Sequence, residues 1–171
     1  MNIAARKFAL SAALALSVAL LPVSPRPVLA QFQYDPFPGV GVPTTPDAQR
    51  NAMSTVQGQV AWLQNATQTT SGFDSDAVGD VWRQFQMLCA SYNSFMRTLN
   101  PQQAATGANE LAELSSGLSI IREAFTNYQD DIASGRSSVY AFQEMCQVLN
   151  QAAALWLQQF NQDCAGLQVG W

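Results

Sequence analysis

The chain has 171 residues, 48% of them apolar and only 12% charged, with no histidine and a formal net charge of −4. Its one lysine is Lys7, so beyond residue 30 there is neither an imidazole nor a side-chain amine. Ser/His and Cys/His nucleophile pairs, a haem axial histidine, His-bearing zinc or di-iron sites and Schiff-base catalysis are excluded on that ground.

Residues 1–30 have the tripartite form of a secretory signal. Arg6 and Lys7 give a short positive segment, Phe8 to Leu21 an apolar run rich in Ala and Leu, and Val28-Leu29-Ala30 the small or short side chains that a signal peptidase reads. Cleavage is expected between Ala30 and Gln31, with export to the periplasm or the cell exterior. The apolar run is about 14 residues where a spanning helix needs about 20, which disfavours an uncleaved anchor, and no later segment is long and apolar enough to span a membrane. No cysteine follows the cleavage site to carry a lipid. Processing leaves Arg50, Arg83, Arg97, Arg122 and Arg136 against all twelve carboxylates, a net charge of −7. That sign argues against nucleic acid and against anionic membrane surfaces, both of which need a basic face.

Residues 31–46 hold Pro36, Pro38, Pro43 and Pro46 with Gly39 and Gly41, a composition that forbids helix and favours extended or polyproline-like backbone. Phe32, Tyr34 and Phe37 on this arm are costly to leave in water. They are therefore candidate contacts, either with the chain's own helices or with a partner.

From Pro46 the apolar residues change to a helical period. The first helix is expected to be capped by Thr45, to start at Pro46, to carry Met53, Val56, Val60, Leu63 and Thr67 on one stripe, and to stop near Thr70 before Ser71-Gly72. A second opens at Asp74, with Asp76 and Asp80 favoured by the helix dipole, and carries Val78, Val81/Trp82, Phe85, Leu88/Cys89, Tyr92, Phe95/Met96 and Leu99 to the Asn100-Pro101 step. That pair caps a third, the longest, with Ala104, Ala108, Leu111, Leu114, Leu118, Ile121, Phe125, Tyr128 and Ile132; Asp130 and Asp131 oppose the dipole in its last turns and favour fraying before Gly135. A fourth starts at Ser137 or Ser138, buries Phe142, Cys146, Leu149, Ala153, Trp156 and Phe160, and stops at Gly166. Four such segments joined by short turns predict an all-α, up-down-up-down four-helix bundle over residues 47–166, followed by a tail over 167–171.

Cys89, Cys146 and Cys164 lie in a chain expected to meet oxidising conditions. Cys146 and Cys164 are separated by about 27 Å along one continuous helix, beyond bonding reach. Cys89 is nearer in height to Cys146 in an alternating bundle, so a Cys89–Cys146 disulfide is expected, worth about 4 kcal/mol in the chain-entropy model. Cys164 is then left over, which raises intermolecular pairing. No Cys-x-x-Cys spacing supports a redox-active thiol.

Asp74, Asp76 and Asp80 lack the glycine placement and the bidentate glutamate of a calcium loop and fit helix capping better. Glu110 and Glu113 read as a solvated face rather than an acid–base pair. The sequence calls for no cofactor and no metal. Trp82 and Trp156 fall on core stripes, whereas Trp62 lies beside its stripe and Trp171 follows the last helix; exposed, either would mark a contact surface.

A chain with the Tyr34-Asp35-Pro36 step followed by the Gln- and Asn-rich amphipathic stretch from Asn51 to Gln68 resembles the TrbJ-like periplasmic components of conjugative type IV secretion systems. The resemblance implies a helical, non-catalytic part of a transfer apparatus. The residues themselves point to an exported structural or protein-interaction module, binding a protein partner or itself, with Phe32, Tyr34, Phe37, Trp62 and Trp171 as candidate contacts. Two other classes stay open: a carrier with a pocket lined by Phe85, Met96, Leu118 and Phe142, and catalysis by carboxylates or a thiol alone.

Overall fold

The structure, a computed structural model, describes residues 44–69 and 75–171. The expectations for the signal, for the aromatic arm residues Phe32, Tyr34 and Phe37 and for Asp74 lie outside the described residues. Within them the chain is all-helical, with no strand: α1 (Pro46–Thr69), α2 (Ser75–Met96), α3 (Pro101–Thr106), α4 (Ala108–Ala133) and α5 (Ser138–Gly166). None of these helices is long and apolar enough to cross a membrane.

Local chemistry sets the boundaries. Thr45 accepts a hydrogen bond from the Ala48 N–H at 3.1 Å, so α1 starts as a capped helix with Pro46 in its first turn. Asn100 and Gln103 form a reciprocal capping box at the head of α3. α4 ends at Ser134 and Gly135, the latter at φ 84°. Asp131 in that last turn does not unravel it, because Arg136 pairs with Asp131 and with Glu144 of α5, each at 2.7 Å.

The third predicted helix is two helices. Gly107 interrupts it, and Ala104 and Ala108, both expected in the core, are exposed. The interruption has a packing reason. Gly107 is buried against Leu167, and a Cβ there would lie 2.5 Å from a Leu167 methyl carbon.

α1 packs along α2 and α5, and α4 packs along α5, while α2 and α4 meet more sparsely. The helix directions follow from contacts far apart in sequence. The start of α1 reaches the turn just past α2 through Gln49 and Thr98, and its middle reaches the last third of α5 through Gln57 and Asn161. Tyr92 of α2 reaches Leu111 of α4, and Trp156 of α5 reaches Leu114. Each neighbouring pair is therefore antiparallel, and α2 runs parallel to α5.

The centre is aromatic. Trp156 and Phe160 stack with centroids 5.3 Å apart, Phe95 meets Phe160 edge-on at 5.0 Å, and Tyr92 meets Trp156 edge-on at 5.5 Å. Beside Trp82, Phe85 and Phe125 form a second cluster, and Tyr128 meets Phe142 near the α4–α5 turn. Such pairs add about 0.5–1.5 kcal/mol each beyond their buried area. The two polar tips do not go unpaired: the Tyr92 hydroxyl donates to the Leu111 carbonyl at 3.1 Å and the Trp156 indole to the Leu114 carbonyl at 2.7 Å. Gly117 makes room for the latter, since a Cβ there would fall 2.6 Å from Trp156 Cδ1.

Candidate functional site

One end of the molecule is organised around a buried amide. Gln49, in the first turn of α1, is 4% exposed. Its Nε2 donates to the Thr98 carbonyl at 2.9 Å and to Gln103 Oε1 at 2.6 Å, and its Oε1 accepts from the Gly170 N–H at 2.9 Å. Gln103 Nε2 in turn lies 3.3 and 3.4 Å from the carbonyls of Leu167 and Gln168. Arg50 donates to the Gly170 carbonyl and pairs with Asp47. A single side chain thus ties together α1, the α2–α3 turn and the segment after α5.

Residues 167–171, expected as a tail, are consequently built into the fold. Val169 and Gly170 are buried, and the Val169 N–H donates to the Cys164 carbonyl at 3.0 Å. Gln168 and Gly170 hold positive φ, 52° and 82°, which turns the chain back across the end of the helices. The outcome is an indole held in the open: Trp171 is 89% exposed although the two residues before it are buried. Beside it lies a groove of about 350 Å³. Asn100, Gln102, Gln103, Thr106, Gly166, Leu167, Gln168 and Trp171 line it, and none of these side chains is charged.

The other candidate contact, Trp62, is 61% exposed on α1, between the buried positions Val60 and Leu63. It points away from the stripe it was expected to flank, far from Trp171 along α1. The structure therefore leaves both tryptophans available for contact but does not bring them together. At the opposite end of the molecule a second, more open concavity of about 510 Å³ is lined by Arg136, Ser137, Tyr140, Gln143, Glu144 and Gln147.

The expected Cys89–Cys146 disulfide is not formed, and all three cysteines are buried. The register between the parallel helices supplies the reason. Tyr92 of α2 sits opposite Trp156 and Phe160 of α5, which puts Cys89 level with the residues just before Trp156. Cys146 and Cys164 then lie about 13 Å along the axis on either side, where a disulfide requires Cα atoms within about 7 Å. Burial pushes the Cys89 and Cys164 thiols up to about 12. They stay protonated and unreactive at neutral pH, as packing residues rather than nucleophiles.

The other singled-out residues stand apart. Asp80 pairs with Arg83 at 2.7 Å on the surface of α2, and Asp76 is exposed. Among the described residues no group of three or more histidine, cysteine, aspartate or glutamate side chains converges on a metal site. Glu110 and Glu113 are exposed on α4. Of the residues proposed to line an apolar pocket, Phe85, Leu118 and Phe142 are buried in the core and Met96 is half-buried. Comparison with models of protein families, with curated proteins and with solved structures returns no match.

The residue that sequence reasoning passed over is Gln49. It falls seven residues before Val56 and four before Met53, on the same stripe as Val60 and Leu63. A long polar side chain on an apolar stripe was the available signal, because such a position is tolerated only when every polar atom finds a partner.

Proposed function

We propose that this chain is an exported, non-catalytic module of the cell envelope, a four-helix bundle of up-down-up-down order formed by α1, α2, α4 and α5, that works by binding a protein partner through its exposed tryptophans. The observation that carries this reading is Trp171: an indole 89% exposed on a backbone whose preceding residues, Val169 and Gly170, are buried and hydrogen-bonded. Large apolar area presented from a fixed position is what a contact anchor requires, since ordering costs are met before the partner arrives. Trp62, 61% exposed, offers a second anchor on a different face. The core supports the same reading from the other side. All three of its cysteines are buried, the Cys89 and Cys164 thiols are pushed up by that burial, and its aromatic side chains are packed on one another, so the chemistry available to a partner is on the surface. The resemblance to TrbJ-like periplasmic components suggests a transfer apparatus as one setting for such a module.

The test combines location with contact. Mass spectrometry of the exported protein is expected to find an N-terminus at Gln31. A photo-crosslinking phenylalanine analogue placed at position 62 or 171 in cells is expected to give a discrete protein adduct, and the same analogue at exposed Gln151 none. Retention in the cytoplasm, or identical adduct patterns at all three positions, would refute the proposal.

A further inference from the structure

We propose that the groove beside Trp171 binds a neutral, polyhydroxylated ligand, an oligosaccharide, with the indole as its stacking platform. The same indole that the proposed function offers to a protein partner is given a second class of ligand here, and the test below needs no protein partner. Its first support is the chemistry of the walls. The groove is lined by four amide side chains, Asn100, Gln102, Gln103 and Gln168, one hydroxyl, Thr106, one exposed indole, and Gly166 and Leu167. No side chain there carries a charge, in a protein whose acidic residues outnumber its basic ones by twelve to eight. A phosphorylated ligand would find no cation to receive it, and an apolar ligand would face mostly polar walls.

A sugar ring matches what is present. One face of a pyranose exposes C–H groups that pack on an indole, while the hydroxyls around its edge both donate and accept. Gln102 and Gln168 supply both functions in return, while Gln103, whose amide is spent on Asn100, Gln49 and the Leu167 and Gln168 carbonyls, frames the groove. A concavity of about 350 Å³ is of the size that holds a small ligand.

The second support is that the groove is preformed. Asn100 and Gln103 are locked in their capping box, the Gln103 N–H donating to Asn100 Oδ1 at 2.8 Å and the Asn100 N–H to Gln103 Oε1 at 3.1 Å. Gln103 is locked again by Gln49. The backbone that carries Trp171 is fixed by the Gly170 N–H on Gln49. Gln102 and Thr106, four residues apart on α3 and therefore on one face of it, are exposed beside this frame. A fixed frame, and a backbone that already holds Trp171 at its edge, leave fewer groups to be ordered on binding.

The test uses the full chain with indole side-chain N–H resonances assigned by NMR. Cellohexaose, maltohexaose and chitohexaose are titrated separately, each to about 10 mM, the range in which weak recognition is measurable. At least one is expected to shift the Trp171 indole signal saturably and to leave the Trp62 signal in place. Trp171→Ala is expected to weaken that binding at least tenfold, Gln102→Ala several-fold, and Trp62→Ala not at all. Because Trp171 and Gln102 are exposed, unchanged circular dichroism shows that the variants fold. Binding is also expected to be indifferent to added salt, as no ion pair is formed. The proposal is overturned if none of the three sugars moves the Trp171 signal, if binding survives Trp171→Ala, or if the groove responds only to a peptide spanning residues 31–46.

Discussion

The two ends of the molecule are held by opposite means. Where α1 begins, buried neutral amides join three segments of chain, with Gln49 at 4% exposure bonded to Thr98, Gln103 and Gly170. Where α4 turns into α5, exposed ions do the joining, Arg136 reaching Asp131 and Glu144. Buried hydrogen bonds leave an unpaired polar group behind when one partner is lost, whereas an exposed ion pair is replaced by water at little cost. The first end is therefore rigid and specific, the second forgiving, and the groove with its presented indole lies at the first.

The largest expected effect is at Gln49. Gln49→Leu strands the Gly170 N–H, the Thr98 carbonyl and one side of Gln103 together, and a loss of about 3 kcal/mol in denaturant-unfolding stability is expected. Next comes Gly170→Ala, which combines a backbone φ of 82° with a Cβ 2.6 Å from Arg50 Cγ. Unfolding midpoints are expected to report a loss of about 1–2 kcal/mol. Gly135→Ala shares the positive φ but places its Cβ in open space, so it is expected to cost about 1 kcal/mol and less than Gly170→Ala; a loss larger than that of Gly170→Ala would erase the contrast between the ends.

Alkaline pH sharpens the comparison further. The folded state raises the Cys89 and Cys164 thiols from 9.0 to about 12 by burial. Between those values the folded chain holds protons that the unfolded chain releases, so stability is intact below about pH 9 and falls as pH rises toward 12. A pH series of melting temperatures is expected to show that decline, and Cys164→Ala, next to the amide-tied end, to reduce it. The smallest effect is expected at the other end. Arg136 is held above its ordinary range by the hydrogen bonds it donates to Asp131 and Glu144, yet Arg136→Gln is expected to change the melting temperature least of all, and not at all in high salt, when measured beside the wild type.

Much of the architecture was legible in the chain because burial writes a period into it. Val56, Val60 and Leu63, or Leu149, Ala153, Trp156 and Phe160, sit at helical spacing and are buried, and Thr45, Pro46 and Asn100 mark helix starts by chemistry that acts within one turn. What was illegible depended on residues distant in sequence. Gly107 breaks a helix because Leu167, sixty positions later, needs its place. The disulfide expectation failed on register, which is set by Tyr92 against Trp156 and Phe160 rather than by counting residues from each helix start. Gln49 and Gly170 could be joined only by the fold. Of the candidate site, Trp171 was named from its residue type, but the groove beside it was not, since its walls come from the α2–α3 turn, α3 and the segment after α5.

The segment after α5 is a fixed part of the molecule, held by Gln49 and Arg50 at Gly170. Native-state hydrogen exchange at the Gly170 amide measures that directly. The expected result is protection within about tenfold of core amides such as Leu149, collapsing in Gln49→Leu. Exchange of the Gly170 amide at the rate of an unstructured peptide in the wild-type protein would contradict it.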